Sequence, residues 1–471
     1  MSLTTLLGID LPLLQAPMAG VQGSALAVAV SNAGGLGALP CAMLGPDALR
    51  QELAAIRTQT DRPFNVNFFC HTPPAPDAAR EAAWRATLAP AYAEFGIDPA
   101  AIPAGPGRRP FDAETAELLA AFAPPVVSFH FGLPSPELLA RVRGWGAKVL
   151  SSATTVEEAR WLEAHGVDAV IAQGLEAGGH RGHFLSDDLT RQMGTFALLP
   201  QVVAAVRVPV IAAGGIADAA GVAAAMALGA AGVQVGTAYL LCPEATTSAV
   251  HRAALQSDAA RHTALTNLFT GRPARGIVNR VIRELGPLSA ATPQFPLATT
   301  AMAPLRAKAE AAGRSDFSPL WSGQNASGCK SIPAAELTHQ LAALLPHLQG
   351  SHGLVLKLMY SSGLRPAEAL SLRIKDVDIG EGTITIRGGK GDKDRIVPLP
   401  RSLVMELHEH VQRMRVIFDR DRAAGRPGVY LPDGLERKFT NSGKEWPWFW
   451  LWPAKGEGRD PLTRSEERRV G

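Results

Sequence analysis

Two histidines and a set of paired glycines carry the first chemistry in this sequence. His130 ends the apolar run VVSFHFG (126–132), where an imidazole can take or give a proton near neutral pH. Period-two alternation puts Ser128, His130 and Gly132 on one face and Phe129 with Phe131 on the other. A hydrogen-bonded core histidine is the competing explanation, and the position at a strand end favours a general base. In AQGLEAGGHRG (172–182), Gln173 can aim a carboxamide at a heterocycle edge. Gly178 and Gly179 let backbone approach a ring or a phosphate closely. His180 and Arg181 are candidates to meet a substrate, whereas His183 reads as part of a solvated loop tip. Gly214-Gly215 and Gly236-Thr237 each follow an apolar run and can expose backbone N–H groups ahead of a helix, which makes a phosphate cradle. Tight turns alone explain either pair, and explain both less well. Further on, Arg365 opens a helix in GLRPAEAL, and Lys390 sits in the hairpin turn of GGKGDKDRIVPLP. Both suit the phosphates of a nucleic-acid backbone; for Lys393 and Arg395 a solvated charged hairpin is an adequate explanation.

The elements that must position these groups are short apolar runs: 11–18, 35–40, 63–69, 126–132, 148–153, 169–174, 208–215 and 232–237. Helical stretches such as 155–165 and 218–228 lie between them. Fully apolar strands alternating with helices imply a parallel sheet covered on both faces. About eight units in roughly 250 residues predict an α/β fold of the (β/α)8 TIM-barrel type, with its active site at the C-terminal ends of the strands. The stretch 72–112 predicts a helical insertion over the mouth, and 265–342 a partly helical C-terminal extension.

With 471 residues, 46% of them hydrophobic and 19% charged, the chain is neither disordered nor collagen-like. No apolar run reaches the ~18 residues of a membrane span, and the N-terminus lacks the basic region of a signal peptide. Cys41, Cys70, Cys242 and Cys329 have neither disulfide nor metal-site spacing. A reduced, cytoplasmic protein with no metal centre and no membrane partner is expected. From Pro346 onward, 22 Lys+Arg face 17 Asp+Glu, against 24 and 26 before it, and four of the eight tryptophans fall within 446–452. The composition therefore places a junction between two different segments near residue 345.

The motifs QAPMAG (15–20), NVNFF (65–69), SFHFG (128–132), AQGLEAGGHRG (172–182), AAGGI (212–216), QVGTAYL (234–240), FTGRPARGIVN (269–279) and DFSPLWSGQ (316–324) resemble, in order and spacing, the nitronate monooxygenase family. That resemblance implies an FMN-binding barrel that uses O2 to oxidise small alkyl nitronates to a carbonyl compound and nitrite. It implies FMN contacts from Met18, Asn67, Gln173, Gly178, Gly214, Gly215 and the run Gln234, Val235, Gly236, Thr237, with His130 as catalytic base. Met18, Phe129 and Phe131 imply an apolar substrate lining. Related flavin barrels that reduce enoyl thioesters or quinones with NAD(P)H are the alternative.

GLRPAEALSLRIKDVD with GGKGDKDRIVPLP resembles the catalytic domain of tyrosine recombinases, and VYLPDGLERKFTNSGKEWPWFW (429–450) resembles integron integrases. The resemblance implies that Arg365 and Lys390 contact a scissile phosphate, so that any DNA contact comes from this segment. The family's nucleophilic Tyr and its His-x-x-Arg pair have no counterpart, since no Tyr follows Tyr430. An inactive α+β fragment at 346–463, too small to close a core and poorly ordered, is expected. Residues 464–471 (RSEERRVG) resemble a translated sequencing adapter and are expected to be a non-native tail.

Overall fold

Because the apolar runs have no polar face, they pair as the buried strands of a parallel barrel. In the computed structural model β1 is Leu13–Gln15, β2 Gly37–Pro40, β3 Phe64–Phe69, β4 Val126–His130, β5 Lys148–Ala153, β6 Ala169–Gln173, β7 Val210–Ala213 and β8 Gly232–Val235. The sheet runs β1-β8-β7-β6-β5-β4-β3-β2, and a Leu14–Leu36 bridge joins its two ends. The described residues are 2–102, 107–345, 350–387, 393–400, 403–431, 438 and 441–453, with the backbone of 458–459 and 466–467. They form two units, one of residues 1–226 and 230–343, the other of 344–471 with 227–229. Among the described residues no helix is long and apolar enough to cross a membrane.

The barrel interior is filled by Leu14, Leu36, Leu150, Ile171 and Ile211. Leu3, Leu6 and Leu7 of the N-terminal helix belong to the same core and plug one end. A Cβ on Gly232, at the start of β8, would stand 2.4 Å from Leu3, so the plug lies at the N-terminal ends of the strands. Chemistry is thereby left to the opposite mouth.

Two further elements contribute to that mouth, the insertion through Arg108 and the extension through its hairpin. The insertion forms a helix over Ala78–Glu94, whose Trp84, Leu88 and Tyr92 pack on Met302, Leu305 and Ala309 of the helix Ala298–Ala311. The stretch expected to be a partly helical extension also contains a hairpin, Thr263–Thr266 with Ala274–Ile277, which pairs with the two-residue strand Gly179–His180. Sequence pattern misses this hairpin because its strands are only four residues long and the second carries Arg275 and Gly276.

Residues of the second unit are better packed than its length predicts. Helices Gly350–Ser362 and Val404–Ala423 flank an antiparallel sheet of Val377–Asp378, Thr383–Ile386 and Arg395–Pro398. Leu354, Leu358, Ile384, Leu407, Leu451 and Trp452 form its core. Among the described residues, the expectation of a poorly ordered fragment that cannot close a core is therefore corrected. Trp452 is buried and donates its indole N–H to the Ala369 carbonyl at 2.9 Å. Trp450 and Trp448 stack against Arg373 and Lys375. Alternate residues of this segment reach different partners, which supplies the missing apolar contacts.

Candidate functional site

One cavity at the C-terminal ends of the strands is lined by Met18 after β1, Asn67 of β3, His130 of β4, Gln173 of β6, Gly214 and Gly215 after β7, and Gln234, Gly236 and Thr237 at β8. Gly178 and His180 line it as well. The structure thus brings together nearly all the barrel residues singled out in the sequence. Val235, Arg181, Phe129 and Phe131 are the exceptions: none of them lines the cavity, and strand alternation turns Val235 into the core, 1% exposed, between Gln234 and Gly236.

The glycine turns have groups to spare. Gly214 (φ +119°) and Gly215 (φ +73°) occupy backbone conformations that disfavour any side chain. A Cβ on Gly214 would lie 2.8 Å from Thr195 Oγ1, and one on Gly178 2.5 Å from the Gly323 nitrogen. Among the described residues, the N–H groups of Gly214, Gly215 and Gly236 donate to no protein acceptor. A loop from the extension latches both turns: Asn325 Nδ2 donates to the Gly215 carbonyl (3.1 Å) and the Gly323 N–H to Thr237 Oγ1 (2.9 Å).

Around the histidines the hydrogen bonds run between strands. The His130 Nε2–H donates to the His180 carbonyl (3.2 Å), which leaves Nδ1 to accept from Ser152 Oγ (3.0 Å). Both ring nitrogens are thereby used within the protein. Gln173 Nε2 also donates to the His180 carbonyl (3.0 Å), and its Oε1 accepts from the Gly182 N–H (2.8 Å). The carboxamide thus spends its Oε1 and one N–H on the 180–182 loop. His180 Nε2 faces Thr270 Oγ1 at 2.9 Å, and that hydroxyl donates onward to the Arg272 carbonyl at 3.3 Å. The proton therefore sits on Nε2, and Nδ1 keeps a lone pair with no protein partner among the described residues. Burial pulls the His130 pKa down to about 3, assisted by the charge of Arg272. Burial, followed by Arg108, holds His180 well below the ordinary histidine value. Both rings are neutral at pH 7.

Three expectations need correction. Arg181 is fully buried and meets no cavity, because its guanidinium is spent on Gln192 Oε1 (2.7 Å) and the carbonyls of Gly174 (2.7 Å) and Gln173 (2.8 Å). It anchors the loop from beneath. His183 is buried rather than at a solvated tip, with burial lowering its pKa to about 3. Phe129 and Phe131 do not share a face. The strand ends at His130 and Phe131 turns to φ +69°, so its ring joins Phe69 and Phe295 while Phe129 packs on Phe111. A left-handed backbone at a bulky residue costs roughly 1–2 kcal/mol and is kept where the surroundings demand it.

Sequence reasoning did not single out Ser152, Thr270, Trp321, Gly323, Asn325 or Arg108. Ser152 was within reach, since it stands at the end of the run KVLSSA. The others come from loops whose placement depends on the hairpin and the extension.

In the second unit Arg365 is exposed at the start of the helix Pro366–Leu370, and its backbone N–H donates to Glu368 (2.9 Å). Glu368 also takes both guanidinium nitrogens of Arg395 (2.8 and 2.7 Å), which holds its carboxyl at about 2. Lys390 and the 464–471 tail expectation lie on residues outside those described, apart from the 466–467 backbone.

Comparison with known proteins adds names to this geometry. The nitronate monooxygenase family model matches residues 1–343, and the phage integrase family model matches 336–426. The nitronate monooxygenase of Paraburkholderia phytofirmans is 46% identical over 345 residues, covering 72% of this chain and 93% of its own. That of Pseudomonas aeruginosa is 44% identical over 355 residues, covering 74% and 99%. Among solved structures, the nitroalkane oxidase of Streptomyces ansochromogenes superposes with a TM-score of 0.66 at 41% identity, over 74% of this chain and 98% of its own.

Proposed function

The chain belongs to the nitronate monooxygenase family, and from that premise we propose that its barrel oxidises alkyl nitronates with O2, using FMN held at the mouth. The observation that carries the reading is the pair of glycine turns whose N–H groups have no protein acceptor, set across one cavity from two neutral histidines. An anionic phosphate satisfies such donors without a lysine or arginine. Met18, Asn67, Gln173, Gly178, Gln234 and Thr237 would flank the rest of the cofactor, with Val235 contributing through its backbone alone.

When bound, the flavin supplies the electron acceptor and the route to O2. The chain's own groups hold the substrate and move a proton. His180, with Nε2–H fixed on Thr270 and Nδ1 free, is the base that takes the α-proton of a neutral nitroalkane. His130 is reassigned from base to positioning residue, because its two nitrogens hold Ser152 and the His180 carbonyl. For a preformed nitronate the proton is already gone and the site need only orient the anion.

The test is a visible spectrum of the purified chain, followed by O2 consumption with ethyl nitronate. A yellow protein that consumes O2 and releases nitrite is expected. A chain that stays colourless after FMN reconstitution overturns the reading. Rapid anaerobic bleaching by NADH, without nitronate turnover, assigns the barrel to the reductases instead.

A further inference from the structure

A second and larger cavity, of about 1060 Å³, adjoins the first. Leu44, Leu49, Phe68, Ile97 and Leu118 wall it, together with Ala303 and Ala307 of the helix Ala298–Ala311. Of the charged residues on its border, Asp98, Arg109, Glu114 and Lys308 are exposed, and Arg108 is half-buried. Its volume sits at the top of the ~300–1,000 Å³ usual for ligand pockets.

Arg108 borders both cavities. Its guanidinium carbon lies 5.5 Å from the centroid of Phe295, and that ring is 5.3 Å from the ring of His180. Among the described residues its guanidinium makes no ion pair or hydrogen bond, although its carbonyl faces His71 Nε2 at 3.0 Å. Its neighbour Arg109 is spent on Asp112 and Glu114, and Arg181 on three acceptors. Burial draws the Arg108 pKa down to about 10, so the group is still charged at pH 7. A partly desolvated cation with no counter-ion is costly and is relieved when an anion arrives.

We propose that Arg108 grips the charged head of the nitronate at the junction, while the apolar cavity beside it receives the substrate's alkyl chain. The favoured substrates are then nitronates with extended, unbranched chains rather than two- or three-carbon ones. The two nitronate oxygens match the guanidinium fork as a carboxylate does. This inference rests on the nitronate reading above and deepens it.

Calorimetric titration of the full chain with n-alkanoates, as unreactive anions of the same shape, tests the site without turnover. Affinity is expected to rise from acetate to octanoate by up to about fourfold per methylene. Arg108→Met is expected to weaken octanoate about tenfold to a hundredfold. Because Ala303 and Ala307 are exposed, Ala307→Phe should fold, and it is expected to cut the octyl-to-ethyl ratio of nitronate kcat/KM at least tenfold. If nitronates are oxidised with a flat chain-length profile, or Arg108→Met leaves octanoate binding intact, the inference is overturned and the activity stands. If alkanoates bind with the expected chain dependence but no nitronate is oxidised, the activity reading is overturned and the substrate assignment falls with it.

Discussion

The barrel mouth and the second unit deal with polar groups in opposite ways. At the mouth, capacity is left over: three glycine N–H groups, the His180 Nδ1 and the Arg108 guanidinium have no protein partner among the described residues. In the second unit, charge is largely answered from within. Arg395 pairs with Glu368, Arg387 with Asp376 and Lys357 with Glu406, at 2.7 to 2.8 Å. Arg373 donates to the Trp448 and Tyr430 carbonyls and lies 3.9 Å from the Trp450 ring centroid. Matched charges hold a fold together and ask for no ligand. A region that carries unmatched donors in a cavity is built around something that arrives from outside.

The largest effect that would sharpen this contrast is at His180. In His180→Asn, turnover of neutral nitroalkanes should fall by roughly 10²–10⁴-fold with flavin retained, while oxidation of preformed nitronates drops far less. His130→Asn should lose less on both substrates. Steady-state kinetics on the two forms decide it, and a larger loss at His130 would return the base role to that residue. Trp452→Ala should remove about 3–5 kcal/mol from the second unit and leave nitronate kcat/KM untouched. Limited proteolysis alongside O2 uptake reads both halves of that statement, and lost turnover would show that the two regions do not act separately.

Gly214→Ala should be milder, combining strain at φ +119° with a 2.8 Å approach to Thr195 Oγ1. At about 1–3 kcal/mol, flavin binding should weaken some ten- to hundredfold, measured by fluorescence titration. A smaller slope is expected from pH. His130 and His183 have folded pKa values of about 3, and His251 about 4, all lowered first by burial. These groups protonate more readily in the unfolded chain. Their stabilisation is therefore complete above pH ~6.5 and lost as pH falls toward 4, at up to about 1.4 kcal/mol per pH unit per group. The second unit buries His410 alone among its described histidines, so its melting should respond less over that range. The smallest effect is the most severe change. A chain ending at Ala343 should keep its flavin and turnover, because Leu337 and Leu341 close the last barrel helix within the first unit. Loss of flavin in a folded product would move the boundary.

Much of the first unit was legible before its structure. Eight apolar runs became eight strands, because burial on both faces is a local property of sequence. The glycine pairs and His130 were legible for a related reason, since strand ends converge on one mouth in a barrel whatever the loops do. The second unit was misread on size alone: its closing contacts pair Trp452 with Ala369, and Arg373 with Trp448, across more than seventy residues.

The residues alone determined which strand-end groups and glycine turns reach the mouth, because strand period and glycine freedom act over a few positions. Only the tertiary structure decided which of those groups are free to react. His130 is used up by Ser152 and by a carbonyl 50 residues away, while His180 is oriented by Thr270, 90 residues on. Arg181, the cation the sequence puts forward, is consumed beneath its own loop, and Arg108, which borders both cavities, has no partner for its guanidinium among the described residues. The physical reason is that an imidazole or a guanidinium is defined by its hydrogen-bond partners, and those are chosen by chain segments that meet only after folding.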